Sequence, residues 1–318
     1  MTEVRAPGIV RLLVWFMNLR VLIGEWLRRF GWELRRLPGT AFQGVIELAG
    51  HRLLTDNRSL ARSYAQYPQT HAFLGRLAKG VAELRPGAGY VDVGANCGDT
   101  LALVRGAQPT MPAFCVEPDA VPRSFLLRNT AGWPQLHVVA DYLGECSGLS
   151  RPVRIEGQGS NAMLVEDPAG QGMVMRSLDE VLAAWDAAFE VGLLKVDAEG
   201  MDGRILAGAS RLLRGCSPVV VFEHSPAAIA AGGSAPMLAF ETLLDCGYDR
   251  ALVFDAFGQW ILNVSLAERG LWDGLDQYAA RGGRIPHYDV LAFAAWAHPL
   301  HDQMLAELRQ GTQRGGGA

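Results

Sequence analysis

Residues 90–98 read Tyr-Val-Asp-Val-Gly-Ala-Asn-Cys-Gly. An apolar, β-branched run that contains Asp92 ends at a tight turn between Gly94 and Gly98, and a helix-like segment follows over residues 99–104. This order of strand, glycine turn and helix is how an α/β fold brings bare backbone against a small ligand at the carboxyl end of a strand. The stretch therefore predicts an α/β fold with a ligand site at this turn, and we expect the ligand to be a nucleoside cofactor.

Apolar strands and amphipathic helices alternate from this turn onward. The strand candidates span residues 90–93, 113–116, 136–140, 193–196, 218–222, 251–254 and 290–294. The helix candidates lie near residues 99–106, 119–130, 177–188, 202–213 and 236–246. Alternation of this kind predicts βαβ units and a mainly parallel, seven-stranded sheet with helices on both faces.

Changes in this pattern predict the domain boundaries. Residues 1–74 are expected to form an amino-terminal helical extension, followed by the main domain over residues 75–300 and a tail over residues 301–318 that is glycine-rich from Gly311 onward. Within the main domain, short β-like pieces among many glycines indicate a β insertion, or a lid over the sheet edge, at residues 142–176.

A basic helix is predicted within residues 9–37. Its polar residues recur at spacings of seven and four, so they share one narrow stripe, and the other faces are rich in Leu, Val, Ile and Trp. Charged residues interrupt the segment too often for a transmembrane span. Such a helix either covers the core of its own domain or makes a peripheral contact with a membrane or a second copy of the chain.

The composition excludes several classes of protein. Of the 318 residues, 49% are hydrophobic and 19% are charged, which is typical of a globular protein. A net charge of −4 provides no basic field for nucleic acid. The five cysteines are widely spaced and form no Cys-x-x-Cys pair, so neither a disulfide framework nor a zinc cluster is indicated. A cytoplasmic location is the expectation from this cysteine usage.

The spacing of the glycine turn favours S-adenosylmethionine among the nucleoside cofactors. A turn that binds a pyrophosphate carries three glycines in the order Gly-x-Gly-x-x-Gly, whereas here Gly94 and Gly98 are separated by three residues. A looser turn with an acid just before it suits a cofactor that carries a positive charge and no phosphate. We expect Asp92 to attract the ammonium end of this cofactor, while the backbone at Gly94 and Asn96 holds its amino-acid portion.

Acids at the ends of the next two strands support this prediction. Glu117 follows the second strand, where a carboxylate accepts hydrogen bonds from both ribose hydroxyls. Asp141 follows the third strand and is placed to accept a hydrogen bond from the adenine amino group. Because NAD enzymes use the same acid, Glu117 alone indicates a nucleoside and not a particular cofactor.

With these residues the chain resembles the FkbM family of S-adenosylmethionine-dependent methyltransferases. The matching blocks are residues 91–98, 116–118, 126–129, 177–182, 194–200, 205–209 and 220–224, and residues 195–200 read Lys-Val-Asp-Ala-Glu-Gly. The pattern departs from the family at Cys97 and at Met201-Asp202. The predicted cofactor-binding residues are Asp92, Gly94, Ala95, Asn96, Gly98, Glu117 and Asp141. The resemblance implies a class I, Rossmann-like methyltransferase that modifies a hydroxyl of a sugar, a glycolipid or a secondary metabolite.

Three groups at predicted strand ends are candidates for the base that removes the proton of the acceptor hydroxyl, namely Asp197, Glu199 and His224. The intrinsic pKa of histidine, about 6.5, is the best match, although a histidine at a strand end also serves as a simple hydrogen-bonding group. Lys195, one of two lysines in the chain, is expected to neutralise a buried carboxylate. The acids could instead converge on magnesium together with Asp202 and Glu223, but no spacing demands it and no metal is predicted.

Two other functions compete with methyl transfer. A methyltransferase-like binding protein without turnover would carry the same acids, and an NAD-dependent oxidoreductase would share Glu117 but needs the pyrophosphate-type turn. Methylation of nucleic acid is disfavoured, because Asp-Ala-Glu-Gly stands at residues 197–200 in place of an Asn- or Asp-Pro-Pro-aromatic block. The expected partner is therefore a small-molecule or glycan acceptor and not a nucleic acid.

Overall fold

The computed structural model of this protein describes residues 44–157, 163–185, 189–281 and 285–315. The chain separates into two compact units, residues 1–41 and residues 42–318. The helix predicted within residues 9–37 lies outside the described residues, so its covering, membrane and dimer roles stay predictions.

Strands and helices alternate through most of the second unit. Its strands are β1 (Gly44–Leu48), β2 (His51–Thr55), β3 (Gly89–Val93), β4 (Ala113–Val116), β5 (Leu136–Val139), β6 (Gly148–Glu156), β7 (Met163–Glu166), β8 (Gln171–Met175), β9 (Val191–Val196), β10 (Val219–His224), β11 (Arg250–Asp255), β12 (Trp260–Ser265) and β13 (Tyr288–Phe293). Its helices are α1 (Arg58–Gln66), α2 (Phe73–Leu84), α3 (Asp99–Ala107), α4 (Ala120–Asn129), α5 (Leu178–Ala184), α6 (Asp202–Ala207), α7 (Ser210–Gly215), α8 (Pro226–Ala231), α9 (Leu238–Asp245), α10 (Arg269–Ala280) and α11 (His298–Gly315). No described helix combines the length and the apolar character that crossing a membrane requires.

An eight-stranded sheet in the order β12-β11-β13-β10-β9-β3-β4-β5 forms the centre of this unit. The five strands from β10 to β5 are parallel neighbours, and β13, β11 and β12 complete the sheet in antiparallel pairs. This arrangement confirms the predicted α/β class, with one strand more than the seven expected. The additional strand is β12, which follows β11 across a tight turn at Gly258. It lies at the sheet edge and is mostly half-buried, so it lacks the continuous apolar pattern of the inner strands.

The two faces of the sheet pack against separate hydrophobic clusters. In β3, Tyr90 packs into one cluster, whereas Val91 and Val93 pack into the other. All residues of β3 and β9 are buried, as expected for parallel strands that are covered on both sides. Asp92 and Lys195 therefore lie inside a dry sheet, where each charge needs a partner.

The described part of the predicted amino-terminal helical extension contains strands as well as helices. β1 and β2 pair in antiparallel register across a turn in which Ala49 and Gly50 adopt φ values of 50° and 82°. α1 then begins after Asn57, whose side chain accepts a hydrogen bond from the Leu60 amide. Residues 44–55 are thus a hairpin, because this turn lets the two apolar segments pair with each other.

Asn129 connects this hairpin to the glycine turn. Its side chain accepts a hydrogen bond from the amide of Leu54 and donates to the carbonyl groups of Leu54 and Cys97, each at 2.8 Å. One amide side chain at the end of α4 therefore holds β2 and the segment after β3 together.

β6, β7 and β8 form a separate three-stranded antiparallel sheet in the order β7-β6-β8, within the segment predicted as a β insertion or lid. The Nη2 atom of Arg204, in α6, lies 3.5 Å from Oε1 of Glu166 and donates to the carbonyl of Gly233 at 2.6 Å. These contacts join the small sheet to helices of the main sheet.

Candidate active site

A cavity of about 360 Å³ opens at the carboxyl ends of the parallel strands. Strand ends contribute Gly94 after β3, Glu117 after β4, Asp141 after β5 and Asp197 after β9, and Asn96 joins them from the glycine turn. This edge is where open α/β sheets bind ligands. Four of the seven predicted cofactor residues thus line one cavity.

The turn after β3 has a backbone that requires glycine at its first position. Gly94 has a φ of 76°, and an added Cβ would lie 1.9 Å from the carbonyl oxygen of Asp197. The amides of Gly94 and Ala95 both donate to the carbonyl of Val116, at 2.9 and 3.1 Å. Gly98, with a φ of 89°, is the N-cap residue that precedes α3. Ala95 and Gly98 therefore shape the turn, whereas Gly94 presents bare backbone to the cavity.

The carboxylate of Glu117 extends from β4 to the glycine turn. It accepts a hydrogen bond from the amide of Asn96 at 2.9 Å and another from the amide of Asp119 at 3.0 Å. Burial raises the pKa of Glu117 to about 7, although these two amides favour the ionised form. Each oxygen retains a lone pair for a hydroxyl donor, so the geometry fits bidentate binding of a ribose.

Asp141 lines the cavity at the end of β5. Its Oδ1 lies 3.5 Å from Nη1 of Arg176, and 28% of its side chain is exposed. Tyr142 and Leu143 follow it on the cavity wall and add an aromatic and an aliphatic surface. This combination of one acceptor with flat apolar surface fits an adenine base.

Asp92 is fully buried and does not line the cavity. Its Oδ2 accepts a hydrogen bond from the Thr100 hydroxyl at 2.7 Å, whereas its Oδ1 has no hydrogen bond and lies 3.6 Å from Nζ of Lys195. The same Nζ lies 3.1 Å from Oδ2 of Asp197. Asp92 therefore contributes charge beneath the glycine turn and makes no direct contact with the cavity.

Lys195 is the cation that compensates these two aspartates. Burial lowers the pKa of Lys195, but the carboxylates of Asp197 and Asp92 outweigh it and raise that pKa above its ordinary value. Burial raises the pKa of Asp197, but Lys195 outweighs it and holds that pKa below its ordinary value. The predicted neutralising role of Lys195 agrees with this geometry.

Carboxyl groups crowd the half of the cavity at the ends of β9 and β10. Glu199 and Glu223 line the cavity, and Asp202 and Asp289 are buried within their electrostatic reach. Burial is the main cause that raises the pKa of all four, and the charge of Asp197 adds to it. Within the part of the chain that the structure describes, no three His, Cys, Asp or Glu side chains converge as metal ligands.

The raised pKa of Glu199, about 7, predicts how stability depends on pH. The folded protein holds this proton more tightly than the unfolded chain does, so the stabilisation is complete below about pH 4.3 and is lost as the pH rises to about 7. Glu199→Gln is expected to flatten the fall in the free energy of unfolding over this range, as measured by urea titration. The exposed Glu83→Gln serves as the control. Equal slopes in both variants would contradict the assignment.

The structure places the three candidate bases in different surroundings. Asp197 and Glu199 line the cavity, but His224 does not. His224 is buried, packs edge-on against Phe240, and its Nε2 lies 2.7 Å from Oδ1 of Asp276. Successive residues of a strand point to opposite sides, so Glu223 reaches the cavity and the neighbouring His224 reaches α10.

A sequence profile described as "Methyltransferase FkbM domain" matches residues 92–250, which is half of the chain. This chain belongs to the FkbM methyltransferase family. The match confirms the predicted family. It also confirms the predicted cofactor, because the methyl donor of this family is S-adenosylmethionine. No protein of curated function matches the sequence.

Several solved structures are similar to this FkbM-family chain. FkbM methyltransferase from Methylobacillus flagellatus KT is 19% identical, over 52% of this chain and 40% of that one, with a TM-score of 0.36. This chain therefore spans less than half the length of that relative. Precorrin-6y C5,15-methyltransferase from Geobacter metallireducens GS-15 is 13% identical over 69% and 86%, with a TM-score of 0.36. Geranyl diphosphate methyltransferase is 14% identical over 74% and 90%, with a TM-score of 0.40.

Two histidines of the cavity lie outside the FkbM-matched segment, and no local sequence pattern marks them. His71 precedes α2, has a φ of 54°, and its Nδ1 lies 3.3 Å from the hydroxyl of Tyr64, which donates to Asp99. His287 precedes β13. Neither follows a parallel strand or a glycine turn, so only long-range pairing brings them to this edge.

Proposed function

We propose that this protein is an S-adenosylmethionine-dependent O-methyltransferase that acts on a hydroxyl of a sugar, a glycolipid or a secondary metabolite. The observation that carries the proposal is the division of one cavity into two halves. Glu117 and Asp141 follow β4 and β5 on one side of β3, whereas Glu199, Glu223 and His287 stand near the ends of β9, β10 and β13 on the other side.

The first half fits the cofactor. Glu117 would accept the ribose hydroxyls, Asp141 would accept the adenine amino group, and the backbone at Gly94 would carry the amino-acid portion. The buried charge of Asp92 would favour the positive end of the cofactor through the turn. When bound, the cofactor supplies an electrophilic methyl group on a sulfonium.

The second half is left for the acceptor, because in-line displacement requires the acceptor oxygen on the side of the methyl group opposite the sulfur. Acids and histidines there can bind hydroxyls and remove a proton. Ile155, Met163 and Leu164 of the small sheet add an apolar wall. A hydroxylated acceptor with an apolar part fits this lining.

Glu117→Ala is expected to weaken S-adenosylhomocysteine binding by about 100-fold or more in calorimetry, because two hydrogen bonds to a charged acceptor are lost. Glu117→Gln keeps the shape of the side chain, so its affinity for S-adenosylhomocysteine should lie between those of Glu117→Ala and the parent. The exposed Glu145→Ala is the control. Tight binding by Glu117→Ala would remove the cofactor assignment.

The acceptor class is tested with labelled S-adenosylmethionine and a panel of hydroxyl compounds, namely methyl glycosides, a glycolipid and a macrolide. We expect label in a methyl ether of at least one of them, and we expect NAD not to compete. Tight cofactor binding without transfer to any compound would instead favour the binding-protein alternative. A peripheral membrane or dimer contact through residues 9–37 stays a hypothesis beside this proposal.

A further inference from the structure

A histidine–carboxylate pair, His287 with Glu223, lies in the acceptor half of the cavity. Nδ1 of His287 is 3.3 Å from Oε2 of Glu223, with 26% and 12% of the two side chains exposed. β10 and β13 are antiparallel neighbours in which Glu223 pairs with Asp289, so the residue before β13 arrives beside the end of β10. Both side chains line the cavity.

We propose that His287 is the general base that takes the proton of the acceptor hydroxyl, and that Glu223 positions it. This inference rests on the proposed O-methyltransferase function. It assigns a catalytic role to a residue outside the FkbM-matched segment.

The imidazole ring of His287 is oriented with Nδ1 towards Glu223. When Glu223 is ionised, its approach to Nδ1 favours the tautomer that has its proton on Nδ1 and its lone pair on Nε2. Among the described residues, Nε2 of His287 has no hydrogen-bond or ion-pair partner, and the ring lies on the cavity wall. The free nitrogen is therefore left for an acceptor hydroxyl.

Carboxyl groups surround this pair. The groups that act on Glu223 from the neighbouring elements are Asp197, Glu199, Asp202 and Asp289. Burial and these four carboxyl groups raise the pKa of Glu223 well above its ordinary value. The cations on this side are Lys195, which is held by Asp92 and Asp197, and, when protonated, His71. An imidazolium at His287 would favour the ionised form of these neighbouring carboxyl groups, because a nearby cation stabilises a carboxylate.

The proposed step balances in atoms and charge. The acceptor oxygen forms the new bond to the methyl carbon, and the electron pair of the broken carbon–sulfur bond stays on the sulfur. The hydroxyl proton passes to Nε2 of His287, and Glu223 stabilises the resulting imidazolium. The products are a methyl ether and S-adenosylhomocysteine, and the proton is later released to water.

Other residues fit this role less well. His224 does not line the cavity, and both of its ring nitrogens are buried or bonded. Lys195 lowers the pKa of Asp197, which makes that carboxylate a weak base. Glu199 lines the cavity without an ion pair among the described residues, so it is the competitor that the test must separate.

The kinetic test uses the full-length protein, labelled S-adenosylmethionine and the best hydroxyl compound of the panel. His287→Gln is expected to lower kcat by about 100-fold or more, with the acceptor KM and the S-adenosylhomocysteine affinity close to those of the parent. His287→Ala should recover part of its rate in added imidazole. His298→Gln, which removes a surface histidine paired with Asp249, is the control.

The pH profile gives a readout that a structural role would not change. The parent rate should rise with pH, because only an unprotonated Nε2 can accept the hydroxyl proton, and His287→Gln should lack this rise. Full activity in His287→Gln with an unchanged profile would overturn the proposal, most directly if Glu199→Gln or His224→Gln lost the activity instead.

A nitrogen-15 NMR titration separates failure of this inference from failure of the proposed function. It is recorded with S-adenosylhomocysteine bound and needs neither a methyl acceptor nor turnover. We expect His287 of the parent to carry its neutral-state proton on Nδ1, and Glu223→Gln to change that tautomer preference. An unchanged tautomer overturns the pairing even if the parent methylates hydroxyls. If His287 shows the expected tautomer but no hydroxyl compound is methylated, the His287–Glu223 pair stands and its role as a base for this chemistry is overturned.

Discussion

Gly94→Ala is expected to weaken S-adenosylhomocysteine binding by about 100-fold or more, although the substitution adds only one methyl group. The added carbon would lie 1.9 Å from the carbonyl oxygen of Asp197, far inside any contact distance. The backbone of the turn or of the β9 end must therefore move, and both carry cavity residues. Calorimetry measures the loss, and urea unfolding shows whether the fold survives.

Gly87→Ala is the matched control for this experiment. Gly87 has a φ of 86°, similar to that of Gly94, but no atom lies within 4 Å of its added Cβ. Both variants pay the backbone strain of about 1–2 kcal/mol for a left-handed residue, whereas only Gly94→Ala adds the overlap. Equal cofactor affinity in the two variants would show that the approach of the turn to Asp197 does not shape the site.

Lys195→Met is expected to cause the largest loss of stability, about 3–5 kcal/mol at neutral pH, because it leaves the buried Asp92 and the partly buried Asp197 without a cation. Nζ lies 3.6 Å from Asp92 and 3.1 Å from Asp197, and the lysine side chain is 3% exposed. Lys79 is the other lysine of the chain and is exposed on α2, so Lys79→Met should change stability by less than about 0.5 kcal/mol. Urea unfolding of both variants measures the difference.

The pH dependence of the Lys195→Met effect follows from the same charges. In the parent, Lys195 holds the pKa of Asp197 below its ordinary value, so this stabilisation is present at neutral pH and is lost as the pH falls through that pKa. Without the lysine, burial is left to raise the pKa of Asp197, and the variant should approach the parent at acidic pH. Adding Asp92→Asn and Asp197→Asn should restore part of the stability at neutral pH. A uniform loss across pH would point to packing and not to charge.

Much of the cofactor half could be predicted from the sequence because its signals are local. Seven strand segments stand out by their continuous apolar pattern, and parallel strands bring their carboxyl ends to one edge. Gly94, Asn96, Glu117 and Asp141 follow such ends directly, and all four line the cavity. Asp92 lies inside β3, one residue before the end of the strand, and its side chain is buried in the sheet instead.

The acceptor half depends on features that local patterns do not contain. A shift of one residue along β10 decides whether a side chain faces the cavity, so Glu223 lines it and His224 packs against Phe240. His287 reaches the site only because β13 pairs antiparallel with β10, and His71 reaches it from a segment before the first parallel strand.

The sequence by itself thus determined the α/β sheet, the glycine turn and the acids that follow two successive strands, because strand periodicity and turn chemistry are encoded within a few residues. The tertiary structure decided which acids face the cavity, which carboxylates Lys195 neutralises and which histidine stands beside Glu223. Those outcomes depend on strand order, on the side to which each strand-end residue points, and on contacts between segments far apart in the chain.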